Sequence, residues 1–304
     1  MRQIQSLTDA DRIDLHIHST FSDGTLTPSE IVRTAADAGL SAIALTDHDT
    51  IAGVYEAQEA GKKLDLPVIP GAELSTQWKS KEVHIVGLFL DPEDDVFRKE
   101  LDDMRDGRDR RNRKMAEKLT QRGIPVDYDV LAAQCGGTVT RANFARYMLD
   151  KGYIHSIAQA FAEYIGDGCP CYVAREKTPA QEAVRMIHEN GGIAVLAQPL
   201  QYHLGHDGLV GLTRQLTDAG LDGIECWYSS FTPSDTQDML GIAAMFHLLP
   251  SGGSDFHGAN KPDIALGSGR GSLFVPGSAL PPLQARHESR KQEAHASGIH
   301  TQDR

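Results

Sequence analysis

The sequence predicts an α/β fold built mainly from parallel strands, and three observations predict it. Short apolar runs alternate with helical patterns about seven times along the chain. Histidines and carboxylates gather where those runs end: His16 and His18, Asp47 to Asp49, Glu73, Asp255 and His257. One long, charge-rich helical stretch interrupts the rhythm and then lets it resume. In a parallel barrel the strand ends open on one rim, which is where such folds build active sites.

The stretch 14–19 reads as the first strand. Ile13, Leu15 and Ile17 alternate with Asp14, His16 and His18. Side chains two apart on a strand share a face, so His16 and His18 project together at a spacing that suits one metal ion. A loop with Asp23-Gly24 follows. Thr27-Pro28-Ser29-Glu30 then starts a helix with a capping box, and Gly39 suits its end. Strand 42–45 runs into Thr46-Asp47-His48-Asp49. A helix over 52–64 precedes strand 67–70 and Glu73. Strand 83–90 carries His84 near its start rather than its end.

From 94 to 121 one long helix is expected. Its arginines and lysines interleave with acids, the mark of a solvated face. Shorter helices follow at 128–133, 141–149 and 156–165. Alternation returns with Thr178-Pro179-Ala180-Gln181, read as a second capping box, then strand 193–196 and Ala197-Gln198-Pro199. Helices at 209–218 and 234–246 flank strand 223–226, and strand 248–250 leads to Gly253-Ser254-Asp255-Phe256-His257. The expected organisation is a barrel over 12–94 and 173–280, a helical insertion over 95–172, and a polar tail over 281–304. The tail lacks apolar periodicity and is expected to be loose.

Bulk properties exclude several classes. A net charge of −12 argues against bulk attraction to duplex nucleic acid or anionic lipid. No run approaches a membrane span, and the polar first twelve residues do not read as a signal peptide. Cys135, Cys169, Cys171 and Cys226 form no C-x-x-C pair and no disulfide framework, as in a reducing cytoplasm, so a cytoplasmic location is expected. A P-loop and a G-x-S-x-G elbow are both missing from the sequence.

Imidazoles and carboxylates in numbers beyond one ion's needs point to a multinuclear site for Mn²⁺, Zn²⁺ or Fe²⁺. Such ions suit phosphoester hydrolysis, because they hold phosphoryl oxygens and activate a water as the nucleophile. No side chain is assigned as the nucleophile.

Asp14-Leu15-His16-Ile17-His18-Ser19, Ser22-Asp23-Gly24, Leu45-Thr46-Asp47-His48-Asp49, Gly71-Ala72-Glu73, His84-Ile85-Val86-Gly87 and Gly253-Ser254-Asp255-Phe256-His257 resemble the motifs of the PHP (polymerase and histidinol phosphatase) family, in order over residues 12 to 275. The segment Thr140-Arg141-Ala142-Asn143-Phe144-Ala145-Arg146 resembles the insertion of its TrpH-like branch. The resemblance implies a distorted (β/α)7 barrel and a metal-dependent phosphoesterase. It implies one ion on His16, His18, Glu73 and Asp255, and a second on Asp23, His48 and His257. A third ion would use Glu73, His84 and a histidine where this chain has Gln198. Two firmly held ions, manganese first, are therefore expected, with the third site weak or empty.

The branch implies 3′,5′-bisphosphonucleosides hydrolysed to a 5′-monophosphate and phosphate. The alternative is 5′→3′ trimming of short RNA, with basic positions of the long helix guiding the backbone. A rival of another class is a non-catalytic nucleotide-binding module. Histidinol phosphatase activity is a further alternative, which the insertion disfavours. Arg141 and Asn143 in the insertion, and Arg270 in the glycine-rich stretch 267–271, are the candidate substrate contacts; Asn143 stands where the branch pattern has histidine. No membrane, stable duplex nucleic acid or protein partner is expected. Asp47 and Asp49 should orient His48, and Glu225 is either beside the ligands or structural. His203 and His206 are the only candidates to replace the missing ligand; His188, His247, His287, His295 and His300 are expected at the surface or in the core.

Overall fold

The computed structural model describes residues 3–135, 139–174 and 178–296, with side chains up to 293. In chain order its elements begin with β1 (Arg12–Asp14), α1 (Pro28–Asp37), β2 (Ala42–Leu45), α2 (Val54–Leu64), β3 (Val68–Trp78) and β4 (Lys81–Leu88). Four helices follow: α3 (Asp95–Gln121), α4 (Tyr128–Cys135), α5 (Arg141–Asp150) and α6 (Ile157–Ala160). The chain then returns to α7 (Ala180–Glu189), β5 (Ile193–Leu196), α8 (Gly205–Asp218), β6 (Gly223–Tyr228), α9 (Pro233–Met245), β7 (Leu249–Gly253), β8 (Val275–Pro276) and α10 (Leu280–Ala296). No helix among the described residues is long and apolar enough to cross a membrane.

The sheet order is β7-β6-β5-β4-β3-β2-β1-β8. It closes because the chain beyond β1 pairs with the chain at the end of β7. Leu15 N donates to Gly252 O (3.1 Å), Asp255 N to His16 O (2.8 Å) and His18 N to Phe256 O (3.0 Å). The barrel is mixed rather than wholly parallel. β4 runs antiparallel to both β3 and β5. That direction explains His84: the start of an antiparallel strand lies on the rim where parallel strands end. β3 continues eight residues past the expected end at 70, so Glu73 sits within a strand rather than after one.

Local rules account for several helix starts. At α1, Thr27 N donates to Glu30 Oε2 (2.8 Å) and Glu30 N to Thr27 Oγ1 (3.3 Å), the predicted capping box. The second predicted box does not form. Thr178 O instead accepts Gln77 N (2.9 Å), which draws the segment beside the end of β3 and leaves α7 without a side-chain cap.

The insertion has its own core of Met115, Leu119, Leu131, Phe144, Met148 and Ile165, separate from the barrel clusters. The expected solvated face of α3 needs correction. Arg108, Arg111 and Asn112 are buried: Arg108 pairs with Asp49 beside the rim, and Asn112 Nδ2 donates to Val139 O (2.8 Å) inside the insertion.

The expected loose tail is corrected as well. Residues 280–296 form α10, and 297–304 lie outside the described residues. Leu280, Leu283 and His287 are its buried contacts. Its anchor is polar, which hid it from an apolar pattern: Arg286 Nε (2.9 Å) and Arg290 Nε (2.8 Å) both donate to Asp222 Oδ1, while His188 Nε2 (2.9 Å) and Ala194 N (2.9 Å) reach Oδ2.

Burial would raise the Asp222 carboxyl, but His188, the Ala194 amide and Arg290 outweigh it and hold it below its usual range. A lowered carboxyl adds stability above its unfolded pKa and loses it as pH falls through the folded one. Asp222→Asn should therefore cost about 3 kcal/mol at pH 7, the low end for a broken buried pair because the arginines stay partly in water. Thermal unfolding followed by circular dichroism should show the gap to wild type closing as pH falls below about 4; a gap independent of pH would refute the account.

Candidate metal centre

The rim of the barrel collects the polar residues. The β1 segment is pinned by Asp14, whose Oδ1 accepts Ser254 N (2.8 Å) and whose Oδ2 accepts Gly267 N (2.8 Å). This brings the chain after β7 so close that a Cβ at Gly253 would lie 2.4 Å from His16 N, so only glycine fits there. His16 and His18 consequently face Asp255 and His257 across the seam. His48 comes from the loop after β2, Glu73 from β3 and His84 from β4; Asp23 comes from the loop between β1 and α1. Asp49, Gln198 and Asp255 hold left-handed backbone at φ 52°, 37° and 57°. Such strain in non-glycine residues collects at functional sites.

The eight residues predicted as metal ligands converge. Glu73 Oε2 lies 3.3 Å from His16 Nε2, 3.2 Å from His18 Nε2 and 3.1 Å from His48 Nδ1. Asp255 Oδ1 lies 3.3 Å from His18 Nε2 and 3.4 Å from His257 Nδ1. Asp23 Oδ1 lies 3.1 Å from His257 Nε2 and 3.9 Å from both His18 Nδ1 and His48 Nε2. His84 Nδ1 lies 2.8 Å from Glu73 Oε1. Three groups could each hold an ion: His18, Asp23, His48 and His257; His16, His18 and Asp255; and His48, Glu73 and His84.

These residues fit divalent cations. With metal–ligand bonds near 2.1 Å, neighbouring ligand atoms lie about 3.0–3.5 Å apart in octahedral or tetrahedral shells. Most of the separations above fall in that range. Asp23 Oδ1, His48 Nδ1, Glu73 Oε2 and His84 Nε2 are buried with no hydrogen-bond partner among the described residues, a cost that a coordinated cation removes. His16 Nε2 and His18 Nε2 face each other at 3.1 Å, and a cation would take both lone pairs.

The electrostatics agree. Burial would raise Asp23, Glu73 and Asp255, yet the surrounding histidines, with Lys261 at Asp255, hold all three well below the usual carboxylate range. Burial would likewise lower the imidazoles. It is outweighed at His18 by Asp255 and Glu73 and at His84 by Glu73, so both are pushed up to about 9. His48, where burial dominates, falls to about 3.

Supporting contacts fix the ligands. His16 Nδ1–H donates to Glu225 Oε1 (2.8 Å), which turns the Nε2 lone pair toward the cluster. Glu225 thus supports a candidate ligand directly. Asp47 and Asp49 do not orient His48 as expected. Asp47 Oδ1 accepts Ser19 N (2.7 Å) and Ser22 Oγ (2.5 Å), bracing the loop that carries Asp23. Asp49 Oδ1 accepts Ser75 N (2.7 Å), and its Oδ2 pairs with Arg108 Nη2 (2.5 Å). Thr140 Oγ1 donates to Asp23 Oδ2 (2.8 Å), and Lys261 Nζ and Tyr228 Oη both donate to Asp255 Oδ2 (2.6 Å each). Sequence reasoning missed Arg108, Thr140, Tyr228 and Lys261 as neighbours of the site. Only Thr140, beside Arg141, stood in a recognised motif.

The predicted substrate contacts do not gather in the same way. Arg141 pairs with Glu82 Oε2 (2.9 Å) and Asp167 Oδ1 (2.9 Å), and Glu82 Oε1 lies 3.5 Å from His84 Nε2. Arg141 therefore stands one ion pair from the cluster. Asn143 Oδ1 accepts Thr140 N (2.7 Å) as the second half of the α5 capping box. Arg270 pairs with exposed Asp263 (2.9 Å). His203 and His206 are exposed and do not replace a ligand. Gln198 itself reaches the cluster: its Nε2 donates to Glu73 Oε1 (2.9 Å) and lies 3.3 Å from His84 Nδ1.

The PHP domain family matches residues 14–190, more than half of the chain. A 5′-3′ exoribonuclease of Haemophilus influenzae is 39% identical over 246 residues, 81% of this chain and 90% of that protein. A 3′,5′-nucleoside bisphosphate phosphatase of Chromobacterium violaceum is 36% identical over 247 residues, 81% of this chain and 87% of its own. The solved structure of a metal-dependent phosphoesterase from Bifidobacterium adolescentis superposes with a TM-score of 0.81 at 30% identity, covering 92% of this chain and 97% of the other. Motif order, barrel and rim cluster agree with these matches, and the chain belongs to the PHP family.

Proposed function

We propose that this enzyme hydrolyses phosphate monoesters of small nucleotides, in the first instance 3′,5′-bisphosphonucleosides to the 5′-monophosphate and phosphate. The carrying observation is the convergence on one rim of buried carboxylate and imidazole atoms without hydrogen-bond partners among the described residues. His16, His18, Glu73 and Asp255 would hold one ion, and Asp23, His48 and His257 a second, with manganese the first choice for a nitrogen and oxygen donor set. When bound, such ions polarise phosphoryl oxygens and lower the pKa of a coordinated water.

The chain's own residues prepare that chemistry. Glu225 fixes the His16 tautomer, and Tyr228 and Lys261 hold Asp255 Oδ2, so Oδ1 faces inward. Thr140 and Arg108 bring the insertion down over Asp23 and Asp49. A cluster this deeply buried suits the end of a substrate rather than the middle of a polymer.

At the third position Gln198 occupies the approach. Gln198 Nε2 donates to Glu73 Oε1 (2.9 Å), which turns the NH₂ of the amide toward Glu73, while Tyr228 gives its one proton to Asp255 Oδ2 and its Oη lies 3.1 Å from Gln198 Oε1. A donor cannot also ligate, and two ions are the reading that this favours.

A second reading, 5′→3′ trimming of short RNA, draws on the name of the Haemophilus relative. The burial of Arg108 and Arg111 removes two cations from the surface track that α3 would offer a backbone.

With Mn²⁺ supplied, wild type should release phosphate from a 3′,5′-bisphosphonucleoside, and Asp255→Ala should lose at least about a thousandfold, since it deletes a ligand and strands two imidazoles. Equal rates for the two proteins on every phosphoester would sink the enzyme reading. Activity on the bisphosphate with none on a 5′-phosphorylated trimer would exclude the exonuclease.

Metal analysis after Mn²⁺ loading and desalting should find two ions per chain, and Gln198→His should raise this to three; three retained by wild type would refute the two-ion assignment. His18 and His84, pushed up to about 9, carry protons at pH 7 that an ion must displace. Calorimetry in buffers of different ionisation enthalpy should therefore show net proton release at pH 7, with apparent metal affinity rising from pH 6 to 8. A pH-independent affinity would contradict this.

A further inference from the structure

Asp255 uses its two oxygens differently. Oδ1 faces His16, His18 and His257 inside the cluster. Oδ2 takes Tyr228 Oη and Lys261 Nζ, at 2.6 Å each. Tyr228 is buried, whereas the Lys261 side chain is 36% exposed and Asp255 is 2% exposed. The Lys261 side chain therefore runs between the buried cluster and solvent, with its ammonium on Asp255 Oδ2. An ammonium has three donors, and among the described residues one of them is spent, on Asp255.

The charge balance gives this position a purpose. Asp23, Glu73, Asp255 and Glu225 crowd the same rim, and all are buried. A phosphate monoester adds nearly two further negative charges and three acceptor oxygens. On the Gln198 side the cluster offers it a neutral amide rather than a cation. The nearby arginines are already committed, Arg108 to Asp49 and Arg141 to Glu82 and Asp167. Lys261 is committed to one oxygen of a residue that would itself be shared with an ion.

We propose that Lys261 is a phosphate-binding residue of this site, its ammonium bridging Asp255 Oδ2 and a non-bridging oxygen of the substrate phosphoryl group. This rests on the phosphoesterase reading. The rival role is purely positioning, in which Lys261 only holds Asp255 for the ion.

The test uses the full-length Mn²⁺-loaded protein and inorganic phosphate as the probe. Lys261→Met should retain the wild-type metal content and bind phosphate at least about tenfold more weakly by calorimetry, the loss expected for one charge-assisted hydrogen bond. Lys261→Arg should recover part of that loss, and with the bisphosphate substrate KM should rise in Lys261→Met. Unchanged phosphate affinity in Lys261→Met would overturn the proposal, and so would loss of an ion from that variant, which would mark a positioning role. A wild type that binds metal but no phosphate would overturn the phosphoesterase reading itself, and this proposal with it.

Discussion

Three carboxylates, Asp23, Glu73 and Asp255, are buried at 4% exposure or less, and each aims an oxygen at imidazole nitrogens rather than at water. Burying that much negative charge is costly unless it is answered locally. The rest of the structure reads as the means of answering it. Closure of β7 against β1 supplies Asp255 and His257 to face His16 and His18. Reversal of β4 supplies His84. Glu225, Asp47 and Tyr228 tie down the atoms that do not face the cluster.

Much of this was legible in the chain because the ligands obey simple spacing. His16 and His18, expected inside the first strand, lie just past the end of β1 at Asp14, where Ile17 still bridges Phe256 and keeps the two imidazoles together; Asp255 and His257 follow the last parallel strand as expected. Directions and partners were not legible. Nothing in Val83, Ile85 or Leu88 says that β4 is antiparallel, because apolar runs look alike in either direction. Glu73 was expected after a strand, yet it lies inside one. The hairpin with β4 extends β3 past the rim, and only tertiary pairing reveals that.

Charge was the least legible feature. The run from Arg105 to Lys118 reads as a solvated face by composition, and for Arg105, paired with Asp102, that holds in part. Arg108 and Arg111 are buried instead, and Arg108 is so because Asp49 on another element meets it; a helix pattern carries no record of its neighbour's charge. α10 repeats the point. Its apolar contacts are few, and Asp222 holds it through two arginines. Patterns built on hydrophobicity miss elements that are docked by ions.

Gln198 shows how one substitution can be absorbed by a polar network. Its backbone N donates to Glu225 Oε2 (2.6 Å), its Oε1 lies 3.1 Å from Tyr228 Oη, and its Nε2 donates to Glu73 Oε1. Glu225 and Glu73 both touch His16, and Tyr228 also donates to Asp255. The amide thus sits in a ring of contacts that returns to the same ligands from both sides. A residue merely lost from a site would leave Glu73 Oε1 facing His84 alone. Here that oxygen has a neutral donor beside the imidazole, so the carboxylate stays oriented and its other oxygen stays turned toward His16, His18 and His48. The arrangement keeps the geometry of the remaining ligands while adding no positive charge on that side, which leaves Lys261 as the cation at the solvent edge of Asp255.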